Sequence, residues 1–385
     1  MSDTRVIFIT HYTELYGANR SLLNLIEGLS IFELTNILVI APGDGKICDE
    51  LKKRGVEYSI IPFVNETWLV GKKPDLFKKV AKLVYNWYIV LRYAKYLRKK
   101  DKTIIHTNSS ATLIGAYFSL WMRVPHVWHI REFGLDDYNF NYNFGYKYFN
   151  FWVNKAKAVI AISRSIYEKR IKNCNTLRKE IIYNGVIFSN EIPEQNFSSV
   201  QSIRYEDEKI IFGIIGLICK EKGQDEAIDA FYLFNKIHKN AQLLIAGNGT
   251  DEYVEMLKQK VNEYHLESKV IFKGFIENAN EFYNKLDCLL MCSKNEAFGR
   301  VTIEAMSKGV PVIGYNNAGT SEIIQDGYNG LLYSNGPFGL SEMMLMYARD
   351  KSMQRTMMQE ALQTVKERFT IEAYSKAVYN VYQSV

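Results

Sequence analysis

The chain has 385 residues, of which 47% are hydrophobic and 23% charged, a globular composition long enough for two α/β domains and unlike that of a disordered or fibrous protein. The net charge is +6, but residues 68–100 hold ten Lys/Arg against the one acid Asp75, a local +9 that leaves the remainder at −3; basic character confined to one segment excludes a general nucleic-acid footprint. Cys48, Cys174, Cys219, Cys288 and Cys292 form no CxxC pair and read as reduced thiols; with no signal-peptide pattern and no apolar run of the ~18 residues a membrane span needs, a cytoplasmic location is expected.

In chain order, strands are expected at residues 6–9, 37–40, 57–61, 103–106, 126–130, 158–162 and 180–183, with a helix over 21–29 after a loop that holds Gly17. Residues 68–100 predict a turn at Pro74 and then a long helix. Phe77, Val80, Val84, Trp87, Leu91 and Ala94 alternate at three- and four-residue spacing and form one apolar stripe. Lys78, Lys79, Lys82, Arg92, Lys95 and Lys99 decorate the other faces. Two readings stay open: a helix lying on an anionic membrane, or a packed surface helix with a solvated basic side. The aromatic run 140–152 is read as core, with an addition to that surface as the alternative.

Residues 188–205 are polar, contain Pro193 and read as a linker. The second half repeats the pattern, with strands at 209–215, 241–246, 269–273, 288–292, 310–314 and 330–333 and helices at 225–237 and 252–264. Residues 338–385 are mostly helical, with a break near Phe369 and Thr370. Short β-rich runs alternating with helices predict two parallel sheets with crossover connections. The domains are drawn at 1–195 and 206–365, with a C-terminal helix over 366–385.

The most informative segment runs from Ser293 to Met306. It follows an apolar strand, and a helix is expected to begin near Gly299. A helix start after a parallel strand presents free N–H groups and the positive end of the dipole, and glycine lets the backbone come close to an anion. A phosphate is therefore expected against the amides from Phe298 through Gly299 and Arg300 to Val301. Glu304 lies about 6 Å further along the axis, a distance that suits a ribose whose hydroxyls donate to the carboxylate. Glu296 precedes the helix, on the sugar's side of the phosphates. A glutamate in a first turn can also be a simple dipole partner.

The Glu296 to Glu304 spacing resembles the EX7E motif of the retaining glycosyltransferases of family 4, which have the GT-B architecture. The resemblance covers residues 208–335, through Gly216 to Lys222-Gly223, Leu243 to Gly249, Val270 to Phe275 and Gly309-Val310-Pro311 with Gly319 and Glu322. It extends more loosely into the first half through Gly17-Ala18-Asn19-Arg20, His106, His129, Ser163 and Asn184-Gly185-Val186. It implies two Rossmann-like domains facing across a cleft, an acceptor-binding N-terminal half, a nucleotide-sugar-binding C-terminal half and a C-terminal helix that returns to the first domain.

On the same resemblance Glu296 holds donor-sugar hydroxyls, Glu304 the ribose and Lys222 the diphosphate, while the backbone at Phe275 and Ile276 meets the base. Gly17 lies near the diphosphate, and His129 contacts the donor sugar. Two positions depart from the family pattern. Leu217 stands where an arginine is usual, so Lys220 or Arg300 would supply the missing cation, and Tyr16 replaces the first of two glycines. His126 is read as structural and Asn184-Gly185-Val186 as a turn.

The resemblance implies a retaining, metal-independent hexosyltransferase that uses a UDP-sugar, or a GDP-sugar, on a glycan or lipid-linked acceptor in surface polysaccharide or glycoconjugate synthesis. No cofactor is implied: the sequence has no DxD motif for a metal, and the helix end with Lys222 and Arg300 would stabilise the leaving diphosphate. The expected partners are the nucleotide sugar, the acceptor and an anionic membrane surface met by residues 76–100. A nucleotide-sugar epimerase of the same architecture and a non-catalytic nucleotide-binding module are the competing readings. The Gly247-Asn248-Gly249 stretch lacks the third glycine of a dinucleotide fingerprint.

Overall fold

The computed structural model describes residues 4–98, 102–193 and 209–385. The expected linker from 194 onward and Lys99 of the basic segment lie outside the described residues. The chain divides into two compact units, Met1–Gly185 with Ile371–Val385, and Val186–Thr370.

The first unit begins with β1 (Thr4–Ile9), α1 (Gly17–Ser30), β2 (Ile37–Ala41), α2 (Lys46–Lys53) and β3 (Glu57–Ile60). A short β4 (Thr67–Leu69) precedes the long α3 (Leu76–Leu97), followed by β5 (Lys102–Thr107), α4 (Ile114–Met122) and β6 (His126–Ile130). Then come α5 (Leu135–Tyr138), β7 (Phe140–Tyr142), α6 (Gly145–Val153), β8 (Ala158–Ala161), α7 (Arg164–Ile166) and β9 (Arg178–Ile181). The second unit runs β10 (Ile210–Ile215), α8 (Gln224–Ile237), β11 (Ala241–Ala246), α9 (Asp251–Glu263), β12 (Val270–Gly274) and α10 (Ala279–Tyr283). It continues with β13 (Cys288–Met291), α11 (Arg300–Met306), β14 (Val312–Tyr315), α12 (Ala318–Ile323), β15 (Gly330–Tyr333), α13 (Gly336–Arg349) and α14 (Lys351–Arg368). Last, α15 (Ile371–Gln383) belongs to the first unit.

Among the described residues each unit has one parallel sheet, ordered β3-β2-β1-β5-β6-β8-β9 in the first and β12-β11-β10-β13-β14-β15 in the second. Every residue of β1 and of β2 is buried, as expected of strands covered by helices on both faces. In both sheets the strand order reverses beside the first strand, between β1 and β5 and between β10 and β13. Loops at such a switch point, on the carboxyl side of the strands, form the ligand crevice of open α/β sheets.

The first core joins Phe8, Leu22, Leu25 and Ile104 to Tyr374, Val378 and Val381 of α15. Close approach of α15 to α1 depends on Gly28, where an added Cβ would lie 2.4 Å from Ser375 Oγ. The second core gathers Phe212, Phe231, Phe234, Leu243 and Leu290.

The antiparallel pair β4 and β7 was missed because three-residue strands carry too little alternation to register as a period. Within the aromatic run Phe140, Tyr142, Phe149 and Trp152 are core, while Phe151 is exposed. Most of the stripe on α3 faces outward: Phe77 (82% exposed), Val80, Val84 and Leu91 are exposed, while Ala94 is buried. The body instead receives Asn86, Ile89, Val90 and Leu97. Asn86 tolerates burial because its amide bonds Val64 N–H and C=O at 3.0 and 2.9 Å and the Glu66 carboxylate at 2.9 Å. Lys82 also turns inward, donating to Asn65 O and Thr67 O at 3.0 and 3.1 Å.

Candidate functional site

In the second unit, the loop after β10 carries Lys222 and the loop after β13 carries Glu296, so both flank the switch point. They meet there: Lys222 Nζ lies 2.6 Å from Glu296 Oε2. The loop after β13 is held by Gly319, whose N–H donates to Glu296 O at 2.8 Å. A Cβ at position 319 would sit 2.7 Å from Phe298 Cα, so only glycine permits this approach. Gly299 has φ 96°, a left-handed conformation that favours glycine, and α11 begins at the next residue. Phe298 is buried beside Phe369, with ring centroids 6.1 Å apart.

Val301 and Glu304 lie on α11. Glu304 is held on both oxygens, by Arg300 Nε at 2.7 Å and by the Tyr283 hydroxyl at 2.9 Å. An ionised carboxylate has about four lone-pair sites, so two acceptor positions remain for sugar hydroxyls. Tyr283 escaped the sequence reading, since only tertiary packing brings the end of α10 to α11. Phe275 and Ile276 follow β12 in a loop opened by Gly274 at φ 64°, and Phe275 is exposed. Leu217 and Lys220 are both exposed in the loop after β10.

The first unit builds a buried polar cluster at its own strand ends. Arg131, just beyond β6, donates from Nε to Asn108 O and Oδ1, both at 3.0 Å, and from Nη1 to Asn184 Oδ1 at 2.6 Å. Its Nη2 reaches the Tyr374 hydroxyl at 3.0 Å and His129 Nδ1 at 3.3 Å. Guanidinium only donates, so His129 Nδ1 accepts and its proton sits on Nε2, a buried atom with no partner. Burial, reinforced by the Arg131 charge, holds the His129 pKa well below the usual histidine value, so the ring is neutral. His106 lies alongside, its Nδ1 2.6 Å from the Tyr382 hydroxyl. Asn184 is thus more than a turn residue: it ties the end of the first unit to Arg131.

Glu132 accepts from Ser109 Oγ at 2.7 Å and from Ser110 N and Oγ at 2.9 and 2.8 Å. Near it are polar atoms without partners: His11 Nδ1, Asn65 Oδ1 and both amide atoms of Asn143, a residue only 3% exposed. Asn65 Nδ2 bonds His11 O at 3.0 Å, and Asn143 N bonds Glu66 O at 2.8 Å, which places the three in one loop cluster. Burial pushes His11 down to about 4, opposed by the Glu132 charge. The Arg131-Glu132 pair, directly after His129-Ile130 at the end of β6, is a visible signal for this cluster, whereas nothing in the sequence marks Asn143. Gly17 opens α1, and a Cβ there would meet nothing within 4 Å. His126 behaves as a structural residue, with Nε2 2.8 Å from Thr107 Oγ1.

Two parallel sheets of this order, in tandem and each with polar loops at its switch point, make this an α/β protein of the GT-B type. Residues 16–189 match the family described as Glycosyltransferase Family 4 and residues 195–364 match Glycosyl transferases group 1, so both halves of the chain belong with the glycosyltransferases. The chain is 33% identical over 183 residues to the N-acetyl-alpha-D-glucosaminyl L-malate synthase of Bacillus anthracis, a match covering 47% of this chain and 46% of that relative. It is 26% identical to the capsular polysaccharide biosynthesis glycosyltransferase CapM of Staphylococcus aureus, over 90% of this chain and 89% of the relative. HepE of Anabaena, solved in complex with UDP and glucose, superposes with a TM-score of 0.80 at 21% identity, covering 99% of this chain and 100% of that one.

Proposed function

We propose that this chain transfers a hexose-type sugar from a nucleotide diphosphate donor, with UDP-sugars favoured and GDP-sugars the alternative, to a glycan or lipid-linked acceptor in surface polysaccharide or glycoconjugate synthesis. The observation that carries the proposal is the meeting of Lys222 and Glu296 at 2.6 Å beside the Gly299 turn, with Glu304 held open for hydroxyls one helical turn away. The UDP and glucose bound by HepE and the capsular role named for CapM support the donor and acceptor classes.

In this reading the C1–O bond to the diphosphate breaks, and the acceptor oxygen bonds C1 on the face the leaving group vacates. The acceptor proton passes to a departing phosphate oxygen. Lys222 and Arg300 stabilise the developing charge, together with the amides at the start of α11, so the proposal is metal-independent. Glu296 orients sugar hydroxyls, Glu304 takes the ribose, and Phe275 and Ile276 the base. Gly17 is assigned to the diphosphate and His129 to the donor sugar. The first unit takes the acceptor.

A peripheral membrane location is part of the proposal, supported by the outward Phe77, Val80, Val84 and Leu91 beside Lys72, Lys73 and Lys78. Among the described residues no helix is long and apolar enough to cross a membrane.

The deciding experiment measures thermal stabilisation by UDP, GDP, ADP and their sugars, then product formation with candidate acceptors in excess EDTA. Ligand binding raises stability by mass action. Transfer with retained anomeric configuration in EDTA supports the proposal. Epimerised free donor without transfer, or activity abolished by chelator and restored by Mg²⁺, refutes it.

A further inference from the structure

At the amino-terminal edge of the first sheet, opposite the strand ends described above, lies a cavity of about 210 Å³. At about 30 Å³ per water, it has room for a phosphoryl group and its hydration. Its lining includes Ser119, Leu120, Arg123, His126, Trp152 and Lys155, from the ends of α4 and α6 and the start of β6. The chemistry of this lining is one-sided. Arg123 and Lys155 bring two full positive charges, and among the described residues neither has a carboxylate within 4 Å. Trp152, only 6% exposed, contributes its indole to the lining. Ser119 Oγ already donates to Val124 O at 2.6 Å, and burial pushes His126 down to about 3, so it is neutral.

The opposing term is the negative end of two helix dipoles, since α4 and α6 both terminate here. Each is equivalent to roughly half a charge, and the nearby carbonyls are occupied: Val124 N donates to Ser119 O at 3.2 Å and Lys155 N to Trp152 O at 3.1 Å. Two whole cations outweigh two capped partial charges, so the cavity favours an anion.

We propose that this cavity binds a phosphate group, as a phosphomonoester or phosphodiester, in a site separate from the donor site. The phosphate is paired by Arg123 and Lys155, beside the Trp152 indole. Apolar groups stand beside the cations: Leu120 is exposed in the lining, and Lys155 Nζ lies 4.9 Å from the ring centroid of exposed Phe151. Rings also link the cavity to α3, with Trp87 stacked on Tyr117 at 5.0 Å and Tyr117 edge-on to Trp152 at 4.8 Å. A phosphate carried on a lipid headgroup and a free phosphorylated metabolite both fit this chemistry, and the proposal does not depend on the transferase reading.

The test uses the full chain and two probes: sn-glycerol 3-phosphate, and phosphatidylcholine vesicles with and without phosphatidylglycerol. Wild type is compared with Arg123→Gln/Lys155→Gln, and with Lys155→Gln alone should the double variant fail to fold. Binding of at least one probe should weaken about tenfold or more in the variant, the scale of a lost charge-assisted hydrogen bond. The same probe should shift an indole N–H resonance that Trp152→Phe removes. Loss with glycerol 3-phosphate identifies a free ligand, and loss confined to phosphatidylglycerol vesicles identifies a lipid. Failure of both probes to bind wild type, or binding that survives the substitutions unchanged, overturns the site.

Discussion

Substitution of Lys222 separates the cost to the fold from the cost to the ligand. With side chains 32% and 16% exposed, Lys222 and Glu296 form a half-solvated pair, and such pairs contribute at most about 1 kcal/mol to stability. On a diphosphate the same ammonium makes charge-assisted bonds worth ~1.5–3 kcal/mol. Lys222→Ala should therefore lower stability only slightly while weakening UDP binding about 10–100-fold. Glu296→Ala removes the carboxylate that competes for the ammonium, so affinity for bare UDP should hold or rise. Turnover with the nucleotide sugar should fall ~10²-fold, because a misplaced reacting centre costs about that much. Calorimetry with UDP, initial rates and thermal melts on both variants and the double variant complete the comparison. A Lys222→Ala protein that binds UDP as wild type does, or a Glu296→Ala protein that loses UDP affinity to the same extent, refutes the assignment of one group to the phosphates and the other to the sugar.

Glu304→Gln keeps the Tyr283 contact but loses the charge facing the ribose, so nucleotide affinity should drop by roughly 1–3 kcal/mol; unchanged affinity in a folded variant rejects the ribose role. For the membrane reading, Lys72, Lys73 and Lys78 replaced by Glu should detach the protein from anionic vesicles at ~1 kcal/mol per charge, and a wild type that fails to bind them at low salt disproves that reading. Lys82 is left intact because it anchors α3 to the Asn65–Thr67 backbone. His126 is lowered from 6.5 to about 3 by burial, so the unfolded chain binds the proton first and stability falls as pH drops through that window. Relative to His126→Gln, wild type should lose roughly 2 kcal/mol between pH 6.5 and about 5. Asp137, raised to about 7 by burial, acts with the opposite sign, losing stability as pH rises from 3.8 toward 7. It is common to both proteins and cancels in the difference, and parallel melting curves over this range contradict the burial argument.

Local rules carried the reading far, because strands buried on both faces write themselves as apolar runs. β1, β2, β10 and β11 were therefore legible, as were the helix start after Gly299 and the spacing of Glu296 and Glu304. These depend on neighbours a few residues apart. Composition places the first joint at residue 195 whereas the unit ends at Gly185, and the second at 365 whereas α14 stays in its unit through Arg368. Polarity marks a linker, but packing sets the edge of a unit: buried Phe369 beside Phe298 keeps α14 with the second unit, and Thr370 bridges Ile187.

What only the tertiary structure decided was contact across long stretches of chain. Lys222 and Glu296 lie 74 residues apart, Arg131 and Tyr374 243 apart, and Tyr382 and His106 276 apart. Periodicity found the apolar stripe on α3 but not its direction, since a helix apolar on more than one side can be rotated without changing its pattern. The buried amides of Asn86 and the inward reach of Lys82 fix that rotation, because each polar group must find its partner once water is excluded. A sequence orders residues along a line, whereas charge pairing and desolvation act through space, and that is why the elements were readable in advance and the site's partners were not.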